Sequence, residues 1–179
     1  MNLVESIPRS PKIKMKGLVM ISRMIDKARA YNSNTLGEYI FPCPLDKIIL
    51  EFLNTNHKEF AYQTQNLSDK KMASWIEEKC LHRSKDDKER INKKILDRKP
   101  DTPESLNRFG VIRNKINPIA KNVTTWIELI ELEESQTHPK ITKCPKLKKQ
   151  KYLRKKRNPK KKEEAVSLNG YPWQRSLFF

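Results

Sequence analysis

The apolar residues of this chain recur every three or four positions in most segments, which is the spacing of one buried face of an α-helix. In the first such segment Ile21, Met24, Ile25 and Ala28 occupy positions i, i+3, i+4 and i+7. No stretch of useful length alternates apolar and polar residues as a half-buried strand would. The pattern therefore predicts a mainly α fold, a small compact domain of about six to seven helices.

Helix start and stop signals divide the rest of the chain into further elements. Pro44 fits the first position of a second helix, because proline there loses no intrahelical hydrogen bond. The apolar stripe of this second helix consists of Leu45, Ile48, Ile49, Phe52 and Leu53. Five more helices are expected to begin near His57, after Ser68, after Ser84, at Pro103 and near Val123. Between the first two helices, residues 32–43 are rich in turn-forming residues and are predicted to form an irregular loop.

The same periodicity assigns side chains to the inside or the outside of each helix. Tyr62 in the third helix and Leu106 in the sixth are candidates for the buried side. The helix after Ser84 has few apolar residues, so we expect it to be weakly anchored. In the last helix the residues expected to face outward are acidic: Glu128, Glu131, Glu133 and Glu134.

Charge separates the chain into a globular part and a tail. Residues 135–179 contain 14 Lys and Arg against 2 Glu, so they account for most of the formal net charge of +17. A segment so rich in lysine and so poor in aliphatic residues does not offset its own ordering entropy. We therefore expect an extended arm over residues 1–14, a helical domain over 15–134 and a basic, flexible tail over 135–179.

The polar residues around the first loop form the candidate site, a polar pocket between the first helix and the loop that we expect to bind a small molecule or a protein partner. Arg23, Asp26, Lys27 and Arg29 lie opposite the apolar stripe of the first helix, and the loop and second helix contribute Glu38, Tyr39 and Asp46. Glu38 or Asp46 could transfer protons, the three cations could hold an anionic group, and Tyr39 could stack or donate a hydrogen bond. Gly37 would allow the backbone to approach a ligand closely.

A structural interpretation of these residues stands beside the functional one. Opposite charges three positions apart meet on a helix surface, so Asp26 could pair with Arg23 or Arg29. In that case the charged groups join two helices through a loop and form no pocket. Spacing does not decide between the two interpretations, and it leaves open whether the protein is an enzyme.

The cysteine and histidine residues predict no metal or cofactor. Cys43, Cys80 and Cys144 lie far apart without a Cys-x-x-Cys motif, and the three histidines share no ligand spacing. Cys43 stands at a helix N-terminus, where a thiolate would be stabilised, but a buried and inert thiol is the more common state of a free cysteine. Without a long apolar run, we expect a soluble, cytoplasmic protein with no membrane span.

The basic tail supports an alternative function. A cluster of cations would neutralise phosphates in a salt-dependent and sequence-independent manner, as in nonspecific nucleic-acid or ribosome-associated proteins. Its candidate residues are Lys148, Lys149, Lys151, Arg154, Lys155, Lys156, Arg157, Lys160, Lys161 and Lys162. A protein-interaction module with an exposed apolar patch is a third interpretation.

Several motifs of residues 8–134 resemble an uncharacterised bacterial family, the domain-of-unknown-function family number 5069. The resemblance rests on the sequences RSP at 9–11, GL at 17–18, RMIDKARA at 23–30, TLGEYIFPCPLD at 35–46 and TTWIELIELEE at 124–134. It implies a small soluble bacterial protein without an established activity. Ser22 and Ile91 depart from the residues typical of the family, and the basic tail is additional.

Overall fold

The computed structural model describes residues 1–137 and shows the predicted mainly α fold. Its helices are α1 (Ile21–Asn32), α2 (Pro44–Phe52), α3 (His57–Asn66), α4 (Asp69–Lys79), α5 (Lys85–Leu96), α6 (Pro103–Ile116) and α7 (Trp126–Thr137). Within these residues there are seven helices and no strand, which confirms the expected fold class.

Side chains and prolines at the helix starts explain where most helices begin. The side chains of Asn56, Ser68, Ser84 and Thr102 each accept a hydrogen bond from a backbone N–H in the first turn of the helix that follows. These bonds satisfy donors that a helix leaves unpaired at its start. The last helix begins at Trp126, three residues later than expected. Glu128 fixes this start because it accepts hydrogen bonds from the backbone N–H groups of Thr124 and Thr125, which directly precede the helix.

The core is built around α1, which packs against α3. Every residue from 21 to 28 is buried, so the helix has no solvent-facing side over this length. A second, smaller apolar cluster lies between α6 and α7 and contains Phe109, Ile112 and Leu129. The N-terminal residues cover one end of α1, and the backbone N–H of Leu3 donates to the carbonyl of Thr35.

Burial overturns three side-chain assignments made from periodicity. Tyr62 is 65% exposed and Leu106 is 56% exposed, although both were expected inside. Glu134 was expected outside and is 5% exposed. The physical reason is that periodicity identifies a favoured face, whereas the neighbouring helices decide how wide the covered face is.

A polar contact holds α5 against the segment before α1. The buried side chain of Asn92 accepts from the N–H of Val19 at 2.9 Å and donates to the carbonyl of Gly17 at 2.7 Å. The contact supplies a specific attachment for a helix with few apolar residues. None of the helices in residues 1–137 is long and apolar enough to cross a membrane.

Candidate functional site

Three of the four charged residues of α1 are buried, and all four pair with residues far away in the chain. Arg23, Asp26 and Lys27 are 4%, 3% and 3% exposed. A charge removed from water needs a close partner and further hydrogen bonds. The polar side of α1 is therefore part of the interior and belongs to three separate ion-pair groups.

The first group joins Lys27 to the start of α2. Lys27 Nζ lies 2.5 Å from Asp46 Oδ2 and 3.3 Å from Cys43 Sγ, and it also donates to the carbonyl of Ile40. Burial disfavours the charged form of Lys27, but Asp46 overcomes this and raises the pKa of the ammonium above its ordinary value. Asp46 Oδ2 also accepts the N–H of Cys43, the N-cap residue of α2, at 2.9 Å. Asp46 Oδ1 is buried and accepts no hydrogen bond from the described residues.

The second group joins α1 to α7. Arg23 Nη2 lies 2.6 Å from Glu134 Oε1, and Arg23 Nη1 lies 3.2 Å from Glu134 Oε2, so the guanidinium and the carboxylate pair through two bonds. The hydroxyl of Tyr39 donates to Glu134 Oε1 at 3.1 Å, and the ring of Tyr39 lies 5.4 Å from the Arg23 guanidinium. Burial opposes the charge of Arg23, yet Glu134 raises the net pKa of the guanidinium.

The third group contains the remaining charges of α1 and lies apart from the first loop. Arg9 bonds both Asp26 and Asp69, and Arg29 bonds Asp69 at 2.6 Å as well as the carbonyls of Thr64 and Leu67. The expectation that Asp26 pairs with Arg23 or Arg29 is wrong. The N-terminal arm brings Arg9 to Asp26, with Arg9 Nη2 2.7 Å from Asp26 Oδ1.

A cavity of about 60 Å³ lies where the first two groups meet. Two buried cations and three carboxylates belong to its wall, together with an aromatic hydroxyl and a thiol. The lining residues are Met20, Arg23, Lys27, Glu38, Tyr39, Ile40, Cys43, Ile130, Glu133 and Glu134. We call this space the α1–loop cavity.

The structure brings together only part of the predicted site. Arg23, Lys27, Glu38 and Tyr39 line the α1–loop cavity, and Asp46 contacts Lys27 next to it. By contrast, Asp26 and Arg29 belong to the Arg9 group. Gly37 adopts a φ of +63°, but the nearest atom to an added Cβ would be the carbonyl oxygen of Leu3 at 3.1 Å. The close approach at this glycine is to the N-terminal arm.

Sequence reasoning missed the residues that complete the ion pairs. Glu134 lies 111 positions from Arg23, and Asp69 lies 40 positions from Arg29. The charge pattern of α1 carries no signal for either partner, because contacts of this separation depend on the packing of whole helices. Glu134 does occur in the last motif of the family resemblance, which was the one available indication.

The thiol of Cys43 is held in its neutral form. Burial and the neighbouring carboxylate of Asp46 raise its pKa above the ordinary value, although Lys27 acts in the opposite direction. A neutral thiol is a weak nucleophile. Among residues 1–137 there is also no cluster of three or more His, Cys, Asp or Glu side chains arranged to hold a metal ion.

A larger groove lies on the other side of Cys43 and Ile130. It has a volume of about 320 Å³ and runs between the start of α2, the segment from Arg98 to Arg108, and α7. We call it the α2–α6 groove. Cys43 and Ile130 line both spaces and thus stand between them.

Both ion pairs at the α1–loop cavity, Arg23–Glu134 and Lys27–Asp46, lie within the motifs that carry the family resemblance. The sequence model of the family DUF5069, a domain of unknown function, matches residues 5–136. The chain belongs to the DUF5069 family. The matched region includes α1, the loop, α2 and nearly all of α7, and thus both sides of the α1–loop cavity. No curated protein matches the chain.

The candidate residues of the tail lie outside the part of the chain that the structure describes. These are the ten Lys and Arg residues between 148 and 162. Nucleic-acid binding through them stays a prediction from charge.

Proposed function

We propose that the protein binds a small polar molecule in the α1–loop cavity. The observation that carries this proposal is the convergence of two buried ion pairs, Arg23–Glu134 and Lys27–Asp46, at one cavity. Replacing a buried ion pair by apolar residues of similar volume is often neutral or stabilising. Fold stability alone is therefore a weak reason for a helical domain to contain two such pairs beside an open space.

The groups around the cavity match a ligand that both donates and accepts hydrogen bonds. Arg23 supplies donors fixed in direction by Glu134, and the carboxylates of Glu38, Glu133 and Glu134 supply acceptors. Lys27 contributes positive charge only, because its three protons already bond Asp46, Cys43 and the carbonyl of Ile40. A cavity needs a volume of roughly 10–15 Å³ to hold one water molecule. A cavity of about 60 Å³ consequently accommodates a polar group of a few heavy atoms.

The ligand is expected to enter from the loop side. Glu38 is exposed and Tyr39 is half-buried, whereas Arg23 and Lys27 are buried behind them. The loop residues therefore govern access of the ligand to the cavity and its recognition, and the buried ion pairs form the rigid inner wall. Such an arrangement favours binding; proton transfer by Glu38 or Asp46 would be an additional activity.

A thermal-shift screen of small polar metabolites on the full-length protein tests this proposal. A ligand that binds only the folded protein raises the melting temperature, and Tyr39→Phe should reduce that shift because it removes a hydroxyl from the cavity wall. Tyr62→Phe is the matched control, since Tyr62 lies in α3 away from the cavity. A shift unchanged in Tyr39→Phe and in Glu38→Gln would place the ligand elsewhere and contradict the proposal.

The charge of residues 135–179 favours a second candidate, nonspecific binding of nucleic acid. With 14 Lys and Arg against 2 Glu, this segment would release counterions from a phosphate backbone. The test is the binding of duplex DNA and RNA by the full chain and by a chain ending at Thr137, which retains Glu134 and all of α7. Affinity that is insensitive to salt, or equal in the two proteins, would contradict this candidate.

A further inference from the structure

The α2–α6 groove is the larger of the two spaces beside Cys43, and the proposed function does not use it. Its volume of about 320 Å³ lies at the lower end of the range of small-molecule pockets, roughly 300–1,000 Å³. Its walls come from three parts of the chain: Cys43 to Leu45, Arg98 to Arg108, and α7. A hydrogen bond from the N–H of Trp126 to the carbonyl of Arg98, 3.0 Å long, ties two of these walls together.

Apolar residues line the groove from two helices. Pro44 and Leu45 line it from α2, and Trp126 and Ile130 line it from α7. Trp126 is fixed in orientation, because its ring packs edge-on against Phe109 with the ring centroids 5.1 Å apart. These groups provide a preformed surface for an apolar body.

Two arginines of this groove differ from every other arginine in residues 1–137. The guanidinium groups of Arg98 and Arg108 make no hydrogen bond, ion pair or aromatic contact within this part of the chain. The remaining arginines each have such a partner: Arg9, Arg23, Arg29, Arg83, Arg90 and Arg113. Both arginines without a partner line the same groove.

Burial distinguishes these cations from the acidic groups nearby. Arg98 and Arg108 are half-buried, whereas Asp101 and Glu104 on the same rim are exposed. Charges of exposed groups are screened by water and salt far more than those of partly buried groups. An approaching anion is therefore attracted by the arginines more strongly than it is repelled by the carboxylates.

We propose that the α2–α6 groove binds a small organic anion with an apolar body. The apolar part lies on Pro44, Leu45 and Ile130, and a carboxylate, sulfonate or phosphate group pairs with Arg98 and Arg108. Arginine suits this role because its planar fork bonds two oxygens of such a group at once. The proposal is independent of the ligand of the α1–loop cavity, because the two spaces share only Cys43 and Ile130.

Calorimetric titration of the full-length protein with anilinonaphthalene sulfonate tests the proposal. This probe combines an aromatic body with one negative charge, and phenylnaphthylamine is nearly the same body without the charge. The test variant is Arg98→Gln/Arg108→Gln, whose side chains have no partner to lose in the described structure. The matched control is Arg83→Gln/Arg90→Gln, which removes the same charge from two exposed arginines outside the groove.

We expect the test variant to bind the sulfonate about tenfold more weakly or worse, corresponding to at least one lost charge-assisted hydrogen bond. Binding of phenylnaphthylamine should be unchanged, and Arg98→Lys/Arg108→Lys should recover part of the lost affinity. Equal loss in the control, or wild-type affinity in the test variant, would overturn the proposal. Equal affinity of the wild-type protein for the two probes would overturn it as well, since the charge would then contribute nothing.

Discussion

Replacing Lys27 by methionine would leave Asp46 as a buried charge without its cation. Lys27 Nζ is 2.5 Å from Asp46 Oδ2, and the two side chains are 3% and 0% exposed. Methionine keeps much of the volume and apolar character of the lysine stem, so the change acts mainly on charge. Asp46 would retain the hydrogen bond from the N–H of Cys43, while Oδ1 already lacks a partner among the described residues.

Removing one member of a buried ion pair costs about 3–5 kcal/mol. A domain of this kind has a total unfolding free energy of about 5–15 kcal/mol, so Lys27→Met should remove a large part of it. The double variant Lys27→Met/Asp46→Asn contains neither charge and keeps an oxygen for the N–H of Cys43. We expect it to be about 2 kcal/mol more stable than Lys27→Met, because the uncompensated carboxylate is gone.

Urea denaturation followed by circular dichroism measures these differences as shifts of the midpoint at constant slope. Lys16→Met is the matched control: Lys16 pairs with Glu77 at 2.7 Å, but the two side chains are 36% and 60% exposed. Exposed pairs contribute about 0–1 kcal/mol. The reasoning is refuted if Lys27→Met costs no more than Lys16→Met, or if the double variant is less stable than Lys27→Met.

Three further results are expected. Asn92→Ala should lower the unfolding free energy in urea by about 2–4 kcal/mol, since it leaves two backbone groups near α1 unpaired. Burial opposes the charge of Asp69, but Arg29 and Arg9 lower the pKa of this carboxyl below its ordinary value of 3.8. The contribution of Asp69 to the unfolding free energy should therefore be present above that pH and lost as the pH falls below it. In melting curves recorded over a pH series, the melting temperature of Asp69→Asn should fall less at low pH than that of the wild-type protein. In a Cys80→Ser/Cys144→Ser protein, Cys43 should react with a chromogenic disulfide more slowly than a free thiol at pH 7, because its pKa is raised.

Each of these outcomes has an opposite that would contradict it. An Asn92→Ala protein as stable as the wild type would mean that α5 does not depend on the polar contact. If the melting temperatures of the wild-type protein and Asp69→Asn fall equally at low pH, Asp69 does not contribute to the acid sensitivity of the fold. Fast reaction of Cys43 would show that Lys27 stabilises a thiolate more than burial and Asp46 oppose it.

Helix positions were predictable because their signals are local. Ser68, Ser84 and Thr102 cap helices through bonds to residues three positions away, and Pro44 and Pro103 suit only the first turn. Local bonds of this kind depend little on the rest of the fold. The predicted elements therefore agree with the seven helices of the structure.

The interior positions were predicted less well where a helix is covered on more than one side. The sequence of α1 reads as amphipathic, with Arg23, Asp26 and Lys27 opposite an apolar stripe. In the structure α7, the first loop and the N-terminal arm cover that polar side. Polar residues at such positions are buried by neighbours whose approach no local pattern encodes.

By itself, the sequence determined the family, the mainly α class, the helix starts and the region in which a site should be sought. Only the tertiary structure decided which charges meet, because Arg23 and Glu134 are 111 positions apart and Lys27 and Asp46 are brought together by a loop. It also placed Asp26 and Arg29 outside the cavity, although both stand within one turn of residues that line it. The physical reason is that side-chain chemistry is local, whereas the pairing of buried charges depends on how whole helices pack.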